Sequence, residues 1–196
     1  MKKTWFSMAV VILLVGILAF NIGKEFSKEE TKPAEQAETK PAVSETTDTV
    51  PAASGIAEGE AAPDFELKTL SGESAKLSDY KGQKIILNFW ASWCPPCKAE
   101  MPHMEEFYEK NKDSKFTILA VNLTNMDRGE DSIKSFVEDY QLTFPILLDE
   151  KGEIGAEYQA HAIPTSYVLD EEGIIRNRIT GPMSEEMMED LILNME

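Results

Sequence analysis

From about Glu60 onward the sequence predicts an α/β domain with a central mixed β-sheet and helices on both faces. Three observations predict it. Short apolar runs at residues 84–90 and 116–123 read as buried strands. Stretches of helical periodicity alternate with them. Near the end, two short strands flank Asp170-Glu171-Glu172-Gly173 as a hairpin.

In chain order, residues 64–67 alternate and read as a short strand before a turn at Ser71-Gly72. The run KIILNFW at 84–90 leads into a helix over 95–112, and FTILAVNL at 116–123 is the next buried strand. A helix over 132–140 carries Ile133, Phe136, Val137 and Tyr140 on one face. Residues 144–148 form a third inner strand and 154–158 a short helix. The hairpin strands are 166–169 and 174–179. From Ser184 a closing helix repeats Met187, Met188, Leu191, Ile192 and Met195 at helical spacing. Alternation followed by an antiparallel hairpin gives a mixed rather than an all-parallel sheet.

The chain has 196 residues, 42% of them hydrophobic, and a formal net charge of −16. One packed domain plus extra segments fits that length. The acidic balance argues against nucleic acid as a partner, which needs clustered Lys and Arg, and against adhesion to anionic lipid. Solubility alone also accounts for it. The two cysteines lie three residues apart, so a bridge between them closes almost no loop and a structural disulfide framework is excluded. The pair is redox-active, metal-binding or incidental.

Residues 1–23 read as an N-terminal signal-anchor, a single transmembrane helix. No charge falls between Lys3 and Lys24, and 5–22 is almost wholly apolar, about the length that spans a ~30 Å hydrocarbon core. A cleaved signal peptide is the alternative, but Leu18-Ala19-Phe20-Asn21 offers no A-x-A site. Lys2 and Lys3 keep the start of the chain in the cytoplasm, so either reading exports the rest. Residues 24–59, rich in Glu, Thr, Ala, Lys and Pro, read as a disordered linker. As a flexible coil of roughly 35 residues it extends on the order of 30–35 Å. The folded domain is 60–196.

Trp93-Cys94-Pro95-Pro96-Cys97 follows a strand and opens a helix. The free amides and dipole of a helix N-terminus stabilise a thiolate. Cys94 is therefore the exposed, low-pKa nucleophile. Cys97, one turn in, is the shielded thiol that resolves a mixed disulfide. Pro95 and Pro96 suit the first turn, where missing amides cost little. Structural zinc needs four ligands, and only His103 and His161 remain, at unsuitable spacing; no metal site is assigned. Copper delivery by two cysteines and a distal His is the better metal rival.

Helical phase puts Cys97, Met101, Met104 and Tyr108 on one face and Glu100 between Met104 and Phe107 on the apolar side. If partly buried, Glu100 has a raised pKa and serves as proton acceptor for Cys97; the alternative is a long side chain that escapes to water. Glu105, Glu106 and Glu109 fall on the polar side, and His103 at the surface. Pro102 kinks the helix or ends it near Met101. Pro164, in Ile163-Pro164-Thr165, is an edge residue or a cis turn.

LNFWASWCPPCKAEMP at 87–102 resembles the thioredoxin superfamily, and more narrowly the TlpA/ResA group of extracytoplasmic thiol–disulfide oxidoreductases. The resemblance spans about 60–195 and includes APDFEL, LSDYKG, the Ile163-Pro164-Thr165 segment and VLDEEG. It implies a thioredoxin-like fold, with Pro164 cis beside the cysteines. Trp93, Pro95, Pro96, Ile163, Pro164 and Thr165 would then form the substrate-binding surface. Trp93 either covers the disulfide or simply packs. Glu100 matches the group's glutamate after the second cysteine, and Asn88 stands where cytoplasmic thioredoxins carry a buried aspartate. The group implies a membrane-tethered reductant with no bound cofactor. It takes electrons from a membrane thiol donor and passes them to disulfide-containing protein clients, apocytochrome c among them. A disulfide-forming oxidant, a copper carrier and a peroxiredoxin-like peroxidase are the rivals.

Overall fold

The computed structural model describes residues 55–195. The expected anchor at 1–23 and residues 24–54 of the expected linker lie outside them. Among the described residues, no helix is long and apolar enough to cross a membrane.

The elements are β1 (Glu66–Thr69), β2 (Ser74–Lys76), β3 (Lys84–Trp90), α1 (Pro95–Asn111), β4 (Phe116–Asn122), α2 (Glu130–Asp139), β5 (Ile146–Leu148), α3 (Glu153–Glu157), β6 (Thr165–Leu169), β7 (Ile175–Thr180) and α4 (Glu185–Leu193). Seven strands form one sheet in the order β2-β1-β5-β4-β3-β6-β7. The β3–β4 and β4–β5 pairs are parallel, and β1–β2, β1–β5, β3–β6 and β6–β7 are antiparallel. The sheet is therefore mixed.

Alternation along the inner strands separates two cores. Ile86 and Trp90 of β3, Ile118 and Ala120 of β4, and Val168 of β6 pack with Met101, Met104, Phe107, Phe136, Met188 and Ile192 of α1, α2 and α4. Ile85, Leu87, Phe89, Leu119, Val121, Tyr167 and Leu169 point to the other face and meet Phe65, Tyr158 and Ala160. With both faces covered, β4 and β6 are buried along their whole length. This is why β4 reads as a near-continuous apolar run, whereas β6, TSYVL, opens on two buried polar residues.

Several local expectations need correction. β2 has only three residues and one buried side chain, Ala75, too short for alternation to register. β5 starts at Ile146, after Pro145, since proline cannot donate to a ladder. Met187 lies outside the core at 43% exposure, while Met188 and Ile192 are buried. Ser184 sets that phase by capping α4, its side chain accepting from Met187 N–H at 3.2 Å. Glu105 is half-buried and accepts from Thr143 N–H (2.9 Å) and Thr143 Oγ1 (2.6 Å), tying α1 to the loop before β5. Pro102 lies inside α1, which continues to Asn111.

Candidate active site

Cys94 caps the N-terminus of α1 in extended conformation, just past the C-terminal end of the inner strand β3. It is joined to Cys97 by a disulfide with Cα atoms 5.3 Å apart. Pro95 and Pro96 occupy the first two helical positions and carry no N–H. Lys98 N–H is taken by Cys94 O at 3.1 Å. That leaves the Cys97 amide to face the nucleophile position, donating to Cys94 Sγ at 3.3 Å. A thiolate on Cys94 would meet this donor and the positive end of a 17-residue helix.

Cys94 does not stand open to solvent. It is 2% exposed and Cys97 is fully buried, while Pro95 and Pro96 are exposed. Cover comes from a segment far away in sequence: Ile163 O lies 3.6 Å from Cys94 Sγ. The Ile163–Pro164 peptide is cis, the geometry that the family resemblance implies. Pro164 is buried, and its carbonyl accepts from Gly181 N–H at 2.9 Å. Thr165 is buried and donates its hydroxyl to Ala162 O at 2.5 Å. Together these bonds hold the loop over the sulfurs.

Trp93 is half-buried, and its Nε1 donates to Met126 O at 3.0 Å. Asp127 fastens the turn before it. Its carboxylate accepts from Ser92 N–H at 2.7 Å, from the Ser92 hydroxyl, and from Asn122 Nδ2 at 2.8 Å. Burial alone would raise the Asp127 carboxyl, but the bonds from Asn122, Ser92 and the Arg128 amide outweigh it and hold it below 3.8.

Glu100 is fully buried, one helical turn beyond Cys97 on the same side of α1. Its Oε1 accepts from Met183 N–H at 2.9 Å and its Oε2 from Asn88 Nδ2 at 3.2 Å. Burial raises the carboxyl and the two donors partly oppose it, so that it rests at about 7 instead of 4.5. A group poised there can take or give a proton near neutral pH.

The profile of the AhpC/TSA family matches residues 59–178. The chain is 41% identical to Thioredoxin-like protein YneN of Bacillus subtilis (strain 168) over 189 residues, 96% of each chain. It is 33% identical to Thiol-disulfide oxidoreductase ResA of Bacillus cereus (strain ATCC 10987 / NRS 248) over 195 residues, covering 98% of this chain and 97% of that one. The crystal structure of StoA from Bacillus subtilis superposes with a TM-score of 0.60 at 41% identity, covering 66% of this chain and 96% of that one. The chain belongs to the AhpC/TSA family, among the ResA-like thiol–disulfide oxidoreductases. Its fold is thioredoxin-like, and it is a redox enzyme of that kind.

The ResA-like fold gathers Cys94, Cys97, Glu100, Trp93, Ile163, Pro164 and Thr165 around the end of β3, with Pro95 and Pro96 on the outer rim. His103 and His161 are both exposed. Asp127, Ser92, Ser166 and the Met183 amide were not singled out by sequence reasoning. Asp127 carries no local signal, since it returns to Ser92 from 35 residues downstream. Ser166 is placed by strand register.

Proposed function

We propose that this chain is a membrane-tethered, extracytoplasmic reductase of protein disulfides that works through Cys94 and Cys97. The observation that carries the reading is the Cys94–Cys97 bridge at the start of α1 with a buried, near-neutral carboxyl one turn inward. The uncharged stretch at 5–22 behind Lys2 and Lys3 supports the tether.

In the reduced enzyme the Cys94 thiolate attacks one sulfur of a client disulfide. A Cys94–client bond forms, the client's own S–S bond breaks, and one client thiolate leaves. Cys97 then gives its proton to Glu100 and, as thiolate, attacks Cys94 Sγ. The mixed disulfide breaks, the second client thiolate leaves, and the Cys94–Cys97 bridge is restored. The client gains two electrons and two protons, one passed from Cys97 by way of Glu100 and the other taken from solvent. A membrane dithiol donor returns the pair to the reduced state and is itself oxidised. Trp93 and Ile163, both half-buried, flank the point where the client sulfur is presented, with Pro95 and Pro96 at its rim, while the buried Pro164 and Thr165 hold the loop that carries Ile163. The sulfurs carry the electrons, so the cycle calls on no bound cofactor. Apocytochrome c is the client class suggested by the group resemblance. One relative, named Sporulation thiol-disulfide oxidoreductase A, 42% identical over 126 residues (64% of this chain and 76% of that one), makes spore clients the second.

Trapping tests this directly. Cys97→Ser is expected to accumulate dithiothreitol-sensitive conjugates through Cys94, and Cys94→Ser to accumulate none. Both variants lose reductase turnover. Conjugates through Cys97 in Cys94→Ser would reverse the assignment. Peroxide consumed without any other thiol would favour a peroxidase.

A further inference from the structure

Asn88 and Ser166 stand opposite one another across the β3–β6 pair, on the face of the sheet that carries the cysteines. Both are fully buried. Asn88 Nδ2 donates to Ser166 Oγ at 2.9 Å and to Glu100 Oε2 at 3.2 Å. Asn88 Oδ1 has no partner among the described residues. This arrangement fixes which way the amide points. A half-turn would put the NH2 group where the unpaired oxygen sits and leave two buried donors unsatisfied instead of one acceptor. The preference depends on both N–H groups being engaged where they are, and Ser166 engages one of them.

We propose that Ser166 is a positioning residue of the redox centre: its hydroxyl oxygen takes one Asn88 N–H and thereby holds the other toward Glu100. The effect runs through Asn88. A donor fixed on a carboxylate oxygen favours the ionised acid, and the ionised acid is the form that receives a proton from Cys97. The inference rests on the reading of Glu100 as that acceptor. The groups around the carboxyl are Asn88 from β3, the Met183 amide from the segment before α4, and Cys97 one turn back on α1. Among the described residues, neither a cation nor a second carboxylate helps to set its ionisation.

The oxidised full chain in detergent gives a clean readout, because bridged sulfurs do not titrate. Glutamate labelled with ¹³C at the side-chain carboxyl reports each acid, and Glu100 is the one with a midpoint of about 7. Ser166→Ala is expected to raise that midpoint by about half to one pH unit, the order of one weakened hydrogen bond to a carboxylate. Asn88→Ala raises it as well, and in that background Ser166→Ala adds nothing. An unmoved midpoint in Ser166→Ala, or a full additional shift in the Asn88→Ala background, overturns the proposal.

The unmodified chain supplies an independent check if a variant misfolds. The Asn88 side-chain amide resonances should follow the Glu100 midpoint and exchange slowly with solvent; indifference to that midpoint overturns the proposal. Full reductase activity in Glu100→Gln would remove the proton-acceptor reading yet leave the titration shift intact, so the two failures are distinct.

Discussion

On the face of the sheet away from the cysteines, Phe65, Phe89, Tyr158 and Tyr167 form an aromatic cluster with centroids 5.3–6.3 Å apart. Each tyrosine hydroxyl there donates to a backbone carbonyl, Tyr167 to Tyr158 O at 2.6 Å and Tyr158 to Pro63 O at 2.5 Å. On the opposite face Glu100, Asn88 and Ser166 are buried just as deeply, and Asn88 Oδ1 has no partner among the described residues. Burial pushes both Tyr158 and Glu100 upward. For a phenol that direction leads away from neutral pH, so the tyrosine stays uncharged and silent. For a carboxyl it leads into the working range. The same burial makes one face inert and the other able to handle protons.

The largest expected effect tests whether the faces are independent. Phe89→Ala should cost about 3–5 kcal/mol in denaturant unfolding and leave the Glu100 midpoint where it is. A moved midpoint would mean that the sheet couples its two faces.

The next effect belongs to Glu100 alone. Its folded pKa of about 7 exceeds the ordinary 4.5, so the folded state keeps a proton that the unfolded chain has already released. Its contribution to stability is complete below about 4.5, declines as pH rises, and is lost above about 7. The oxidised protein should therefore lose about 3 kcal/mol across that window. Glu100→Gln should flatten the curve, and an unchanged slope in the variant would place the titration elsewhere.

Tyr158→Phe should cost about 1 kcal/mol, the net worth of one buried hydrogen bond, equally at pH 5 and pH 8. A pH-dependent cost would contradict the inertness of that face. Smallest of all, Lys110 bridges Glu106 of α1 and Glu185 of α4 from an exposed position. Lys110→Met should leave the thermal midpoint unchanged within error.

What the sequence revealed follows from how local each signal is. The buried strands β3 and β4 are continuous apolar runs, and the cysteine pair sits within one turn of helix, so both were legible. Glu100 was placed on the apolar side by helical phase alone, which a 17-residue helix preserves even across Pro102. No periodicity shows the cover over Cys94, because it comes from Ile163, 69 residues away; only the family resemblance puts the Ile163-Pro164-Thr165 segment beside the cysteines. The Asn88–Ser166 bond was not legible, because it depends on the register of an antiparallel pair joined by 78 residues of chain. Asp127 holds Ser92 through a loop return that no periodicity announces. Met187 shares the helical spacing of the buried Met188 and Ile192 yet lies outside the core, because the Ser184 cap sets the phase.

The central claim is that Cys94 and Cys97 form a reversible, reducing dithiol couple, and its reduction potential tests this most directly. Thiol labelling of the full chain across defined redox buffers should give a value near or below about −250 mV, in the range of thioredoxin. A value near about −120 mV would contradict the reductant role and make the protein a disulfide-forming oxidant, and the absence of any reversible couple would contradict thiol exchange through this pair altogether.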